Sequence, residues 1–404
     1  MVTAMHGIGQ LRICLAAATA SAVMLATPGR PQAPTIVPLT DSVLQVRPGA
    51  VVPLLDPADR RPSALPLEFV VSTARFYIQQ SRITGDLGYL NYAESLLAPW
   101  ILEPTPEPRA LLLHATVQQS RHEFPAALAT LDRALALRST DSEAWLTRAD
   151  ILRVMGMYAQ AGAACERFAQ LADPSLSALC RLSLRSLNGE LPQAYAALVK
   201  IPIQDMRPAE RAWVYATLGE MAVRLGRDAD AERWFLRDLR IAPYDFFGRA
   251  AYADLLLRHR RAAQVLVLVR GHRIPDPLLL RVAIAQKMLG DAGLSRSVVA
   301  LQVAFRAEAQ RGESVHQREQ ARFLLEVQKR PRPALAVALE NWKVQREPED
   351  ALILVKAAAS AGNPQAAQPA LDFLRANRLR DARLSDRPAA NRWLPHGIDV
   401  RPGS

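Results

Sequence analysis

Lysine is scarce in this 404-residue chain, supplying five of its 50 basic residues, and aromatic side chains make up only 6%. The excess of 11 positive charges is therefore carried by scattered arginine, whose densest clusters, "RHRR" at 258–261 and "KRPR" at 329–332, fall at expected turns. A nucleic-acid surface would interleave a basic face with aromatics or carry a recognised module, and neither is found. With so few rings, burial must rest on the Ala and Leu within the 50% hydrophobic content, which suits closely packed helices.

Catalytic signatures are missing too. There is no Gly-rich phosphate loop, no G-x-S-x-G and no nucleophile-and-base pattern. "HEFPA" at 122–126 begins as a zinc-protease helix does but lacks the second histidine four residues on. His114 and His122 are the one histidine pair worth testing as a metal site, although a helix would carry them more than two turns apart. A metal-handling or enzymatic envelope protein using His114, His122 or the tail residue His396 is the alternative to a non-catalytic reading, which requires no cofactor.

What is present begins with an address. "MVTAMHGIGQLR" carries one arginine and no acid, and the largely apolar "ICLAAATASAVMLA" that follows is 14 residues long. A membrane span needs about 20 apolar residues, so residues 1–26 read as a signal peptide cut near Ala22 or Ala26. Arg12 just before Cys14 argues against a lipoprotein site, and no second apolar run of spanning length follows. Residues 27–66 hold nine prolines in 40 positions and read as an extended linker, because each proline removes a donor and biases its predecessor away from the helix. The expected location is periplasmic or secreted, in a Gram-negative envelope. Residues 385–404 read as an irregular tail.

From 67 to 384 the pattern becomes paired amphipathic helices of about a dozen residues joined by short turns. A small residue early in each second helix recurs at Ala93, Ala127 and Ala161, at intervals of 34. The unit is a helical hairpin, clearest at 74–107, 108–141, 142–175 and 212–245 and degenerate over 246–384, with about eight copies in all. Pro125, Pro192 and Pro364 stand where second helices begin, at a first turn that has no donor to waste. One hairpin cannot bury its apolar face alone, so the units must stack into a solenoid.

The copy at 142–175 carries Trp145, Ala149, Gly156, Tyr158, Ala161 and Phe168, and that at 212–245 carries Leu218, Gly219, Leu225, Gly226, Ala231, Phe235 and Pro243. This pattern resembles the tetratricopeptide repeat (TPR) family. The resemblance implies an all-α, right-handed solenoid and a non-catalytic scaffold, here an exported bacterial one, whose first helices line a concave groove for a protein or peptide segment. The groove positions it implies are Arg109, Thr116, Gln119 and Ser120, then Glu143, Asp150 and Arg153, then Trp213, Glu220 and Arg224. The Lys and Asn with which the best-known groove of that family clamps a C-terminal carboxylate are replaced by Leu112 and Thr116, or by Leu146 and Asp150, so that ligand is not implied. A further alternative is an envelope-assembly component that meets its partner through the Pro-rich segment rather than the groove.

Cys165 and Cys180 remain. If 171–175 is a turn between antiparallel helices, the two thiols are equidistant from it and lie level. A bridge closing such a loop would contribute on the order of 3 kcal/mol. The alternative is two buried, inert thiols, since Cys165 falls at a core position of its repeat.

Overall fold

The structure is a computed structural model describing residues 65–271, 274–313 and 315–385. The expected signal peptide, nearly all of the linker and the tail, and His396 lie outside the described residues.

Among the described residues the chain is all helical. Nine antiparallel hairpins follow one another, against an expectation of about eight: α1 (Leu67–Thr84) with α2 (Gly88–Ile101), α3 (Pro108–Ser120) with α4 (Phe124–Leu137), α5 (Ser142–Val154) with α6 (Tyr158–Ala169), α7 (Pro174–Arg185) with α8 (Leu191–Leu198), and α9 (Pro208–Arg224) with α10 (Asp228–Ile241). Then come α11 (Phe246–Arg258) with α12 (Ala262–Leu268), α13 (Asp276–Leu289) with α14 (Leu294–Gln310), α15 (Gln317–Arg322) with α16 (Pro331–Val344), and α17 (Pro348–Ser360) with α18 (Gln368–Ala376). A short α19 (Ala382–Ser385) ends the described chain.

Local chemistry explains the boundaries. Asp141, Asp173 and Asp245 cap α5, α7 and α11 by accepting from backbone N–H groups of the first turn. Every hairpin reverses through one residue of positive φ: Gly85, His122, Gly156, Gly189, Gly226, Arg260, Gly290, Lys329 and Gly362. Three of the nine are not glycine, so glycine spacing alone under-reports the repeat.

Packing follows the small-residue code. Ala127, Ala161, Ala194 and Ala231 are buried in the second helices, and Phe168 and Phe235 fill the layers beside them. Gly219 shows how tight the fit is, because a Cβ there would lie 2.4 Å from the Phe235 ring. Cys165 on α6 and Cys180 on α7 form a disulfide with Cα atoms 5.9 Å apart, tying the third hairpin to the fourth.

The superhelix closes on itself. The turn at Gly85 meets Pro275 at the start of the seventh hairpin, and a Cβ on Gly156 would lie 2.8 Å from the Phe373 ring and 3.1 Å from Arg346 Cβ. A Cβ on Gly189 would come within 3.2 Å of Arg378, and one on Gly226 within 3.3 Å of Ala382. The turn edge of the early hairpins thus rests on the last ones. Along this seam the Arg346 N–H donates to Val154 O at 2.8 Å, and Arg153 pairs with Glu347 at 2.9 Å across 194 positions of sequence.

Candidate functional site: a central cavity lined by first helices

Closing the superhelix leaves a central cavity of about 1750 Å³. All nine first helices reach it: Arg82 from α1, Gln119 from α3, Asp150 from α5, Ser183 from α7, Glu220 from α9, Ala251 from α11, Ile284 from α13, Glu319 from α15 and Leu352 from α17. A first helix carries its apolar stripe toward neighbouring hairpins and turns its remaining face inward, which is why first helices supply most of the lining, with second-helix residues such as Phe124, Asp228 and Leu371 at its margins.

The groove positions implied by resemblance divide into two sets. Gln119, Ser120, Asp150, Arg153, Trp213, Glu220 and Arg224 line the cavity. Arg109, Thr116 and Glu143 are absent from the lining and are occupied elsewhere. Arg109 pairs with Glu68 at 2.8 Å and with Glu107 at 3.3 Å. The buried Thr116 hydroxyl donates to Leu112 O one turn back at 2.9 Å. Glu143 is buried and takes a two-pronged bond from Arg75 at 2.6 and 2.7 Å, reaching from α1 to α5. Burial pushes its carboxyl up while Arg75 opposes that shift. A positional rule reads which face a residue occupies but not which partner has already claimed it.

The lining is wired by charge. Gln119 donates to Asp150 at 3.0 Å, Asp150 accepts from Arg153 at 2.9 Å, and Arg153 bonds Glu347. Glu347 also accepts from Arg318 at 2.8 Å, and Arg318 bonds Asp350 at 2.6 Å. Asp350 accepts from Asn341 at 2.7 Å, completing a relay from α3 to α16. One turn along α15 from Arg318, Arg322 bonds Asp254 at 2.9 Å, and Asp254 also takes a bond from Arg281 at 2.7 Å. Burial would raise the Asp254 carboxyl, but those two guanidinium groups outweigh it and hold it well below the usual carboxylate range. Arg224 donates to the backbone oxygen and hydroxyl of Ser186, both at 2.7 Å, and burial lowers its pKa.

Sequence reading missed most of this wiring. Glu347, Arg318, Asp254, Arg281 and Arg322 come from the degenerate half of the chain, and a charge on an irregular helix carries no periodic signal of its partner. It missed also the buried acid pair at the α10–α11 junction. Asp238 has no exposure and sits beside Asp245 and Arg249, its Oδ2 filling the space a Cβ on Gly248 would take. Burial first, then the neighbouring Asp245 charge, pushes the Asp238 carboxyl well above its ordinary range.

The two histidines are held apart by their partners. His114 Nδ1 lies 3.9 Å from Glu94. His122 occupies the positive-φ turn of the second hairpin, stacks on Phe124, and has its Nδ1 3.3 Å from Gln345 Nε2. Burial, then the cations His316 and Arg318, lower its pKa to about 4. No group of three potential metal ligands gathers among the described residues.

No protein-family model matches the chain. No curated protein matches it in sequence. Among solved structures it is similar to a human IFIT1 dimer with m7Gppp-AAAA, at 12% identity and a TM-score of 0.40 over 78% of this chain and 81% of that one. It is similar also to the APC/C hetero-tetramer Cut9-Hcn1, at 12% identity and a TM-score of 0.37 over 83% of each chain. The TPR domain of P58(IPK) matches at 12% identity and a TM-score of 0.22, over 81% of this chain and 96% of that one. No described helix is long and apolar enough to cross a membrane.

Proposed function

We propose that the protein is a non-catalytic interaction scaffold working outside the cytoplasm, which holds an extended segment of another protein along its central cavity. The observation that carries this reading is the cavity itself, about 1750 Å³ and reached by every first helix, with charged and apolar side chains interleaved. An extended segment suits it because main-chain amides can bond to the charged lining while alternate side chains meet Leu352, Ile284 and Trp213. The exported location is supported by the opening segment of the sequence and by the Cys165–Cys180 bridge, a bond that persists in oxidising compartments.

Photo-activatable residues test the site. Placed at Gln119 and Ala216 in the cavity they should crosslink a partner, whereas placed at the exposed Leu236 they should not. Equal capture from Leu236, or capture from Leu236 alone, rejects the cavity as the binding site. Compartment fractionation of the host, with thiol trapping of Cys165 and Cys180, tests the location: reduced thiols in a cytoplasmic fraction reject it.

A further inference from the structure

We propose that α16 to α19 form a latch that swings about a helical irregularity in the eighth hairpin and opens the central cavity while the preceding hairpins stay folded. The latch stands whether or not the cavity holds a partner, because it concerns how the chain closes on itself.

The hinge is built into the backbone. After α15 the chain makes a π-helical turn over Phe323–Val327, in which the Gln328 N–H reaches back to Phe323 O at 3.0 Å, and Lys329 then takes a positive φ. Such single π turns interrupt the regular ladder and recur at functional sites. The ε-amino group of Lys287 on α13 donates to the backbone oxygens of Glu326 and Val327, fixing the body side of the turn. Two hydrophobic cores meet across the same stretch. Phe323 and Val327 belong to the large core whose first member is Leu146, whereas Ala334, Trp342, Leu354 and Leu374 build a separate one, to which α15 contributes Ala321.

The seam has a different character from the hairpin interfaces. Of the early hairpins, only Tyr158 and Leu187 are buried members of the latch core. Beyond these, the Phe373 ring against Tyr158 and Val344 beside the core of the second and third hairpins, the closure consists of close-set turns and polar bonds: Arg153 and Arg318 to Glu347, Arg318 to Asp350, the Arg346 N–H to Val154 O, and Gln345 to His122. Water can replace polar contacts on opening far more cheaply than it can cover an apolar layer, so this seam should part before any hairpin interface does. When closed, Glu347 at the N-cap of α17 and Glu349 within it are part of the cavity wall, so opening the latch removes a wall rather than widening a mouth.

Hydrogen exchange on the full chain, read by mass spectrometry, tests the latch because the Arg346 amide, among the described residues, donates across the seam to Val154 O. That amide should exchange at least about tenfold faster than the interior amides of α9, and Arg153→Ala should speed it by about another tenfold while leaving α9 unchanged. If Arg153→Ala does not fold, Glu347→Gln serves from the latch side with the same expected result. An Arg346 amide exchanging no faster than the α9 interior, or one unaffected by the substitution, overturns the latch.

Discussion

Hairpins three to five and the final two hairpins perform the same structural task by different means. In the first group, alanines at the helix crossings and the buried Phe168 and Phe235 form one continuous apolar stack. In the second, a small separate core is held to the body through the arginine–carboxylate pairs Arg153–Glu347 and Arg322–Asp254 and apposed turns. A hairpin whose interface comes from its neighbours in sequence must repeat their pattern, because each layer is the template for the next. A hairpin docked on residues one superhelical turn away is freed from that template and selects charge partners instead.

The sharpest way to break this contrast is to truncate a ring on each side. Phe168→Ala or Phe235→Ala should cost about 3–5 kcal/mol in chemical denaturation, the range for a fully enclosed ring. Phe373→Ala, beside Tyr158 and Trp342 at the seam, should cost less than half as much. Equal losses would mean that the seam is packed like a hairpin layer. Next in size is the bridge between the third and fourth hairpins: Cys165→Ser with Cys180→Ser should lower stability by about 3 kcal/mol under oxidising conditions, and have no effect relative to wild type once both are reduced.

Acid should act on the seam. The His122 pKa in the folded chain, about 4, lies below the ordinary imidazole value of 6.5, so its neutral form contributes stability that is full above pH 6.5 and is lost as pH falls toward 4. His316, raised by its partner Glu308, works in the opposite sense, so the test must be a difference. Between pH 7 and pH 4.5, wild type should lose about 1–3 kcal/mol more than His122→Asn in paired melting curves. The opposite sign belongs to the α10–α11 junction. Because the Asp238 pKa is raised in the folded state, stability is greatest below the ordinary carboxylate range and declines as pH rises through the elevated pKa. Asp238→Asn should flatten that decline, by at least about 1 kcal/mol at pH 8 in thermal unfolding.

Much of the fold was legible because hairpin packing writes itself into local sequence. Ala127 and Ala161 lie 34 apart since consecutive layers need the same small residue at the same height, and Cys165 and Cys180 lie level because their turn fixes the register. The count of hairpins was harder to read where Arg260 and Lys329 adopt the positive φ that glycine takes elsewhere. The cavity was half legible. The resemblance implied groove positions at Gln119, Asp150 and Glu220, which line the cavity, but it could not show that Glu143 is spent on Arg75 or that Arg153 is met by Glu347. Partners so distant in sequence leave no periodic trace in a single chain.

The closure of the superhelix is tested most directly by a double-mutant cycle on Arg153→Ala and Glu347→Ala, scored by denaturant unfolding. The side chains meet at 2.9 Å and both are mostly shielded from solvent, so the coupling energy should be about 1–3 kcal/mol. A coupling within about 0.3 kcal/mol of zero would mean that the third and ninth hairpins do not meet in solution.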